Sequence, residues 1–131
     1  MKQPKCTVYA PSSNINRIAI RSMHFDMENL ILDVQGDQFS FFRITFKNVF
    51  GFRVLDERDL CEFWKEYHLK TAWFYEVHEG GWIELEMMRQ YFSTPSIYPK
   101  VREFFIVCDS CLSVLTTQEP DIDSIGSDIV G

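Results

Sequence analysis

The clearest alternation of apolar and polar side chains lies at residues 41–47. Phe42, Ile44 and Phe46 fall on one side, and Phe41, Arg43, Thr45 and Lys47 on the other. A period of two is that of a β-strand with one covered face. The preceding run from Met27 to Val34 is rich in Leu, Ile and Val and reads as its partner strand, with Gln35-Gly36-Asp37-Gln38 as the turn. Phe50-Gly51-Phe52-Arg53-Val54 continues the apolar character as a bulge or a separate strand. Upstream, residues 1–14 hold one short apolar patch, Thr7-Val8-Tyr9, and read as an edge strand or a loosely held arm, while residues 15–22 are too short to decide between strand and helix.

The pattern changes at residues 56–67. Leu60, Phe63, Trp64 and Tyr67 recur at helical spacing, and Asp56 stands where a cap is needed, with Asp59 three residues on. Glu57, Arg58, Glu62, Lys65 and Glu66 occupy the exposed side. From Thr71 to Val77 the alternation of a strand returns. His78-Glu79-Gly80-Gly81 reads as a turn and Trp82-Ile83-Glu84-Leu85-Glu86 as the return strand, which gives a hairpin over 73–86. In that hairpin Ile83 and Leu85 face the core, and Trp82, Glu84 and Glu86 face solvent. Ser93 to Pro99 holds two prolines and reads as a loop. Val101–Val107 and Cys111–Thr117 form a last, deeply buried hairpin.

These elements predict an α+β fold: a curved antiparallel sheet of six to seven strands with one main amphipathic helix packed on it. An open barrel or a two-sheet sandwich is the alternative. Residues 1–117 make a single domain and 118–131 an acidic, flexible tail. A chain of 131 residues suits one core, and its 46% hydrophobic content excludes a disordered chain. Charged residues interrupt every window long enough to span a bilayer, and Met1–Ala10 lacks the apolar core of a signal peptide, so the expected location is cytoplasmic, with no membrane contact.

Charge narrows the function classes. The formal net charge is −6. Residues 1–53 hold seven basic and four acidic side chains, and residues 54–131 hold six basic and fifteen acidic. Direct nucleic-acid binding needs clustered Lys and Arg and is not expected. A basic protein partner is. The candidate partner-binding residues are Glu57, Glu62, Glu66, Glu76, Glu79, Trp82, Glu84 and Glu86, an acidic hairpin with an aromatic anchor supported by an acidic helix.

Catalytic motifs are missing: there is no phosphate loop, GxSxG, HExxH or EF-hand loop. His24, His68 and His78 are scattered, and no catalytic residue, metal site or cofactor is expected. Cys108-Asp109-Ser110-Cys111 has the spacing of redox and zinc motifs, but it lies between two strand-like runs without a second ligand pair and reads as two inert thiols flanking a hairpin turn. Glu84 and Glu86 could act as an acid/base pair only if buried.

Three segments carry a resemblance. They are Phe46-Lys47-Asn48-Val49-Phe50-Gly51-Phe52-Arg53-Val54-Leu55-Asp56-Glu57, Gly80-Gly81-Trp82-Ile83-Glu84-Leu85-Glu86, and Phe104-Phe105-Ile106-Val107 followed by Cys111-Leu112-Ser113-Val114-Leu115. Across residues 46 to 115 the chain resembles the small immunity proteins of bacterial toxin systems, such as those of contact-dependent growth inhibition. The resemblance implies a cytosolic, non-enzymatic protein that binds one cognate toxin domain and blocks it. Many such toxins are nucleases. It carries over no individual functional residue and does not fix the oligomeric state. A second function class is a small-ligand domain whose apolar pocket is lined by Phe39, Phe41, Phe42, Phe46, Phe50 and Phe52.

Overall fold

Strand formation follows the apolar runs. The computed structural model describes residues 3–9, 18–36, 40–67 and 72–125. Within them nine strands are formed: β1 Lys5–Val8, β2 Ala19–Phe25, β3 Leu30–Gln35, β4 Phe41–Phe46, β5 Gly51–Asp56, β6 Phe74–Glu79, β7 Arg102–Ile106, β8 Ser110–Thr116 and β9 Asp121–Ser124. Every ladder is antiparallel. The strands divide into a five-stranded sheet, β1-β6-β7-β8-β5, and a four-stranded sheet, β2-β3-β4-β9. The expectation of one curved sheet with one main helix is therefore corrected. The fold is α+β with two sheets and only short helices, which is the two-sheet alternative in outline.

The division has a side-chain cause. Leu30, Leu32, Val34, Ile44 and Phe46 make the four-stranded sheet apolar on one face. They share one core with Phe74, Phe104, Ile106, Leu112 and Val114 of the five-stranded sheet. Phe46 bridges the layers, its ring 6.0 Å from that of Phe74 and 5.8 Å from that of Phe104. The phenylalanines considered as a pocket lining mostly fill space. Phe46 is fully buried, Phe52 packs against the same core, Phe42 stacks on Trp73, and Phe50 lies against Tyr98 at the surface. Phe39 lies outside the described residues.

The five-stranded sheet is apolar on its other face too. Tyr75, Val77, Phe105, Val107 and Cys111 point away from the four-stranded sheet and form a second cluster with Leu60, Phe63 and Ala72. Here the expected helix of 56–67 is corrected to a 3-10 helix, Glu57–Phe63, with Leu60 off helical geometry at φ −127° and ψ 32°. Its apolar side is the expected one: Leu60 and Phe63 are buried, and Trp64 and Tyr67 pack beside them. His68 and Thr71 lie outside the described residues.

Three further expectations change. The segment after Gly81 is not a return strand but a helix, α1 Trp82–Met87, so there is no 73–86 hairpin. The proline loop contains a second helix, α2 Thr94–Ile97, with Pro95 in its first turn, where a missing N–H costs nothing. The tail is not wholly loose, because Asp121–Ser124 pairs with β4 and Ile122 packs on the core. Residues 126–131 lie outside the described residues. Of the two alternatives for the Thr7-Val8-Tyr9 patch the structure has the edge strand, β1 at Lys5–Val8 with Tyr9 just beyond it, and the hairpins β3–β4 and β7–β8 stand as expected.

Phe104 touches Tyr9, Phe46 and Phe74 with full burial. Phe104→Ala leaves a cavity between the sheets and is expected to cost about 3–5 kcal/mol in urea unfolding. A loss below 1 kcal/mol contradicts the shared core.

Candidate functional site

The outer face of the five-stranded sheet carries the site. Strand alternation sets Tyr75 and Val77, Glu103 and Phe105, Cys111 and Ser113, and Gly51, Arg53 and Leu55 on this face. One end is covered by the 3-10 helix. Its Asp56 cap accepts the Arg58 N–H at 2.9 Å, and the Trp64 indole N–H donates to the Glu57 carbonyl at 2.7 Å. Leu60 and Phe63 turn inward, which leaves Glu57, Asp59, Glu62 and Glu66 exposed.

The other end is covered by α1. Gly80 adopts φ 71°, a left-handed conformation that suits glycine, and turns the chain off β6. Glu103 then fixes the helix start. Its side chain is buried at 2% exposure, and its two oxygens accept the Trp82 and Ile83 backbone N–H groups at 2.8 and 2.9 Å. A buried carboxylate thus satisfies two donors that a helix start leaves open. Glu84 accepts the Gly80 N–H in the same turn. Gly81 lies so close to Glu103 and Val77 that a Cβ there would overlap both side chains. Burial holds the Glu103 carboxyl above its ordinary range, against the lowering effect of the two N–H groups and of Arg53.

Arg53, on β5, packs against α1. Its guanidinium lies 5.3 Å from the centre of the Trp82 ring. Burial lowers its pKa, while Glu103, Glu62 and Glu86 oppose that shift. The Trp82 indole N–H donates to Glu86 at 3.1 Å, and Arg89 pairs with the same carboxylate, holding it below its ordinary pKa.

The sequence candidates thus fall into two groups. Glu57, Glu62, Glu66, Trp82, Glu84 and Glu86 belong to the segments covering the outer face. Glu76 and Glu79 lie on β6 and are held by partners. Arg102 donates to both Glu76 oxygens at 2.8 Å and also pairs with Glu119, and Lys5 lies 3.3 Å from Glu79. A cleft of about 250 Å³ brings Glu76, Glu79 and Glu84 together with His78, Arg102 and Glu103. His78 is hydrogen-bonded to the Thr7 hydroxyl at 2.8 Å.

Three residues in this arrangement escaped the sequence reading: Arg53, Arg102 and Glu103. Their signal was a charge placed inside an apolar strand run, since charged groups are buried only when paired.

Among the described residues no group of three or more His, Cys, Asp or Glu side chains could hold a metal ion. Cys108 and Cys111 are free thiols at the β7–β8 turn. The Cys111 thiol donates to the Cys108 carbonyl at 3.1 Å. Burial pushes the two thiols up to about 11 and about 12, so neither supplies thiolate near neutral pH.

Two outcomes test the Glu103 clamp. Gly81→Ala is expected to cost about 1–3 kcal/mol, because Glu103 or Val77 must shift. Glu103→Gln tests the charge. A raised folded-state pKa gives a stability contribution that is full below the ordinary value of 4.5 and is lost as pH rises through the folded value. The stability of the wild type relative to Glu103→Gln, read by urea unfolding, should therefore fall as pH rises above 4.5. A difference independent of pH contradicts the buried carboxyl.

The chain matches no protein-family model, no curated protein and no solved structure, so its own fold and site carry the reading of function.

Proposed function

We propose that this chain is a non-catalytic immunity protein, which docks its acidic helical layer on a basic toxin domain and neutralises it. One observation carries the reading. The two segments that cover the outer face, residues 56–67 and 82–89, hold seven carboxylates against three basic side chains, and both lie on the same face of one sheet. A strand hairpin is not needed for this. The 3-10 helix with its following turn, and α1, carry six of the eight expected residues, Glu57, Glu62, Glu66, Trp82, Glu84 and Glu86, at the two ends of that face; Glu76 and Glu79 lie on β6.

The physical logic is charge complementarity. A nuclease must hold a polyanion, so its cleft is basic. An acidic inhibitor is steered toward such a cleft, which raises the association rate, and its carboxylates accept paired N–H bonds from arginine as phosphates do. The paired Glu76 and Glu79 act in this reading through the general field. Contact falls to Glu57 and Glu62 on the 3-10 helix, to Glu66 in the turn that follows it, and to Glu84, Glu86 and Trp82 at α1. Trp82 is half-buried and braced by Arg53, so it meets a partner with little further loss of freedom.

The test uses the product of the reading frame adjacent to this chain's own. Its association with the wild type and with a Glu57→Lys, Glu62→Lys, Glu66→Lys variant is followed by stopped flow. All three positions are exposed, so the variant keeps the fold. The expected result is a fall in association rate of about ten-fold or more at low ionic strength, with the rates converging at high salt. Equal rates at low salt contradict the proposed face.

A further inference from the structure

Strand alternation turns Met23 and Val54 toward the core shared by the two sheets. Met23 stands opposite Leu32 in the β2–β3 ladder, and Val54 opposite Leu112 in the β5–β8 ladder. Leu32 and Leu112 are fully buried in that core, and residues opposite each other in a ladder share a face. Met23 and Val54 nevertheless stay 41% and 44% exposed. Both sit on edge strands, β2 of the four-stranded sheet and β5 of the five-stranded sheet. Where two sheets pack face to face, inward side chains interdigitate and leave few voids. Along this edge the space between the sheets is not filled.

A cavity of about 300 Å³ occupies that space. Ile18, Ala19, Ile20 and Met23 line it from the four-stranded sheet, and Val54 with the β7–β8 turn, Cys108 to Ser110, from the five-stranded sheet. Its floor is the core itself: Ile18 and Cys108 are buried members of the shared cluster, and Ile20 packs against it. The exposed apolar side chains here therefore border one concave site that opens from the core to solvent.

The lining selects the ligand. Its polar side chains are Cys108, Asp109 and Ser110. The Cys108 thiol is already engaged, donating to the Ser110 carbonyl at 2.5 Å and accepting the Ile20 backbone N–H. Asp109 and Ser110 are exposed and stand at the mouth, where the carboxylate disfavours an anion. A polar group carried to the floor would lose water and gain no partner. An apolar cavity of about 150 Å³ holds one benzene ring, so this site has room for a molecule of roughly ten non-hydrogen atoms. We infer that the open edge between the two sheets binds a small uncharged apolar molecule, held between Met23 and Val54 on a floor of Ile18, Ile20 and Cys108. A hydroxyl at one end of the molecule would remain at the mouth with Ser110. None of the carboxylates assigned to partner docking lines this cavity, so the inference stands or falls apart from that reading.

The test is a titration of the purified chain with 1-octanol, followed by methyl NMR, with octanoate as the charged counterpart. The methyl signals of Ile18, Ile20, Met23 and Val54 are expected to shift saturably, with half-saturation below about 1 mM. Octanoate is expected to bind about ten-fold more weakly or worse. Val54→Phe fills the cavity from one sheet, and Met23→Glu places a charge in it from the other. Each is expected to weaken octanol binding by about ten-fold or more. The methyl signals of the second apolar cluster report that both variants are folded. Val8→Phe adds the same ring on edge strand β1 and should leave binding unchanged. Four results overturn the inference: no saturable shift up to the solubility of octanol, shifts spread evenly over both apolar clusters, octanoate bound as tightly as octanol, or binding unchanged in both Val54→Phe and Met23→Glu.

Discussion

The five-stranded sheet is apolar on both faces, and the rest of the molecule follows from covering it twice. Phe74, Phe104, Ile106, Leu112 and Val114 must meet one layer, and Tyr75, Val77, Phe105, Val107 and Cys111 another. The four-stranded sheet supplies the first. Short helical segments supply the second, because two turns of helix can bury a few side chains and turn the others to water. The outward side chains of those segments are mostly acidic. The acidic face is thus the solvent side of a cover that the hydrophobic effect requires, and a partner can use it without any change in the core.

Glu103 shows how local sequence and long-range structure part company. Trp82-Ile83-Glu84-Leu85-Glu86 alternates as a strand would, and two glycines before it suit a hairpin. Five residues are too few to separate a strand period from a helical one. What decides is a carboxylate on β7, about twenty residues away, aimed at the Trp82 and Ile83 N–H groups. No window around residue 84 contains that information. The same holds for the two-sheet division. Alternation located most of the strands, yet it does not say that β5 leaves its neighbour β4 to pair with β8, or that Asp121–Ser124 returns to β4. By contrast the β7–β8 hairpin was plain, because continuous runs of Phe, Ile, Val and Leu fit a strand buried on both sides.

The candidate site was legible in composition more than in geometry. The acidic bias of residues 54–131 and the apolar side of residues 60–67 were visible from the chain alone. The pairing of Glu76 with Arg102 and of Glu79 with Lys5 was not, since both are cross-strand contacts. Those pairs reduce the number of carboxylates that a partner can engage. They also move the centre of the proposed face from β6 toward the 3-10 helix and the turn after it, where Glu57, Glu62 and Glu66 are exposed.

The most direct test of an acidic docking layer is a hydrogen-exchange footprint of this chain, free and bound to the product of its neighbouring reading frame. Slowed exchange concentrated at residues 57–67 and 82–86 is the predicted result. Protection confined to β2, β3 and β4 of the four-stranded sheet, with the helical layer unchanged, contradicts it.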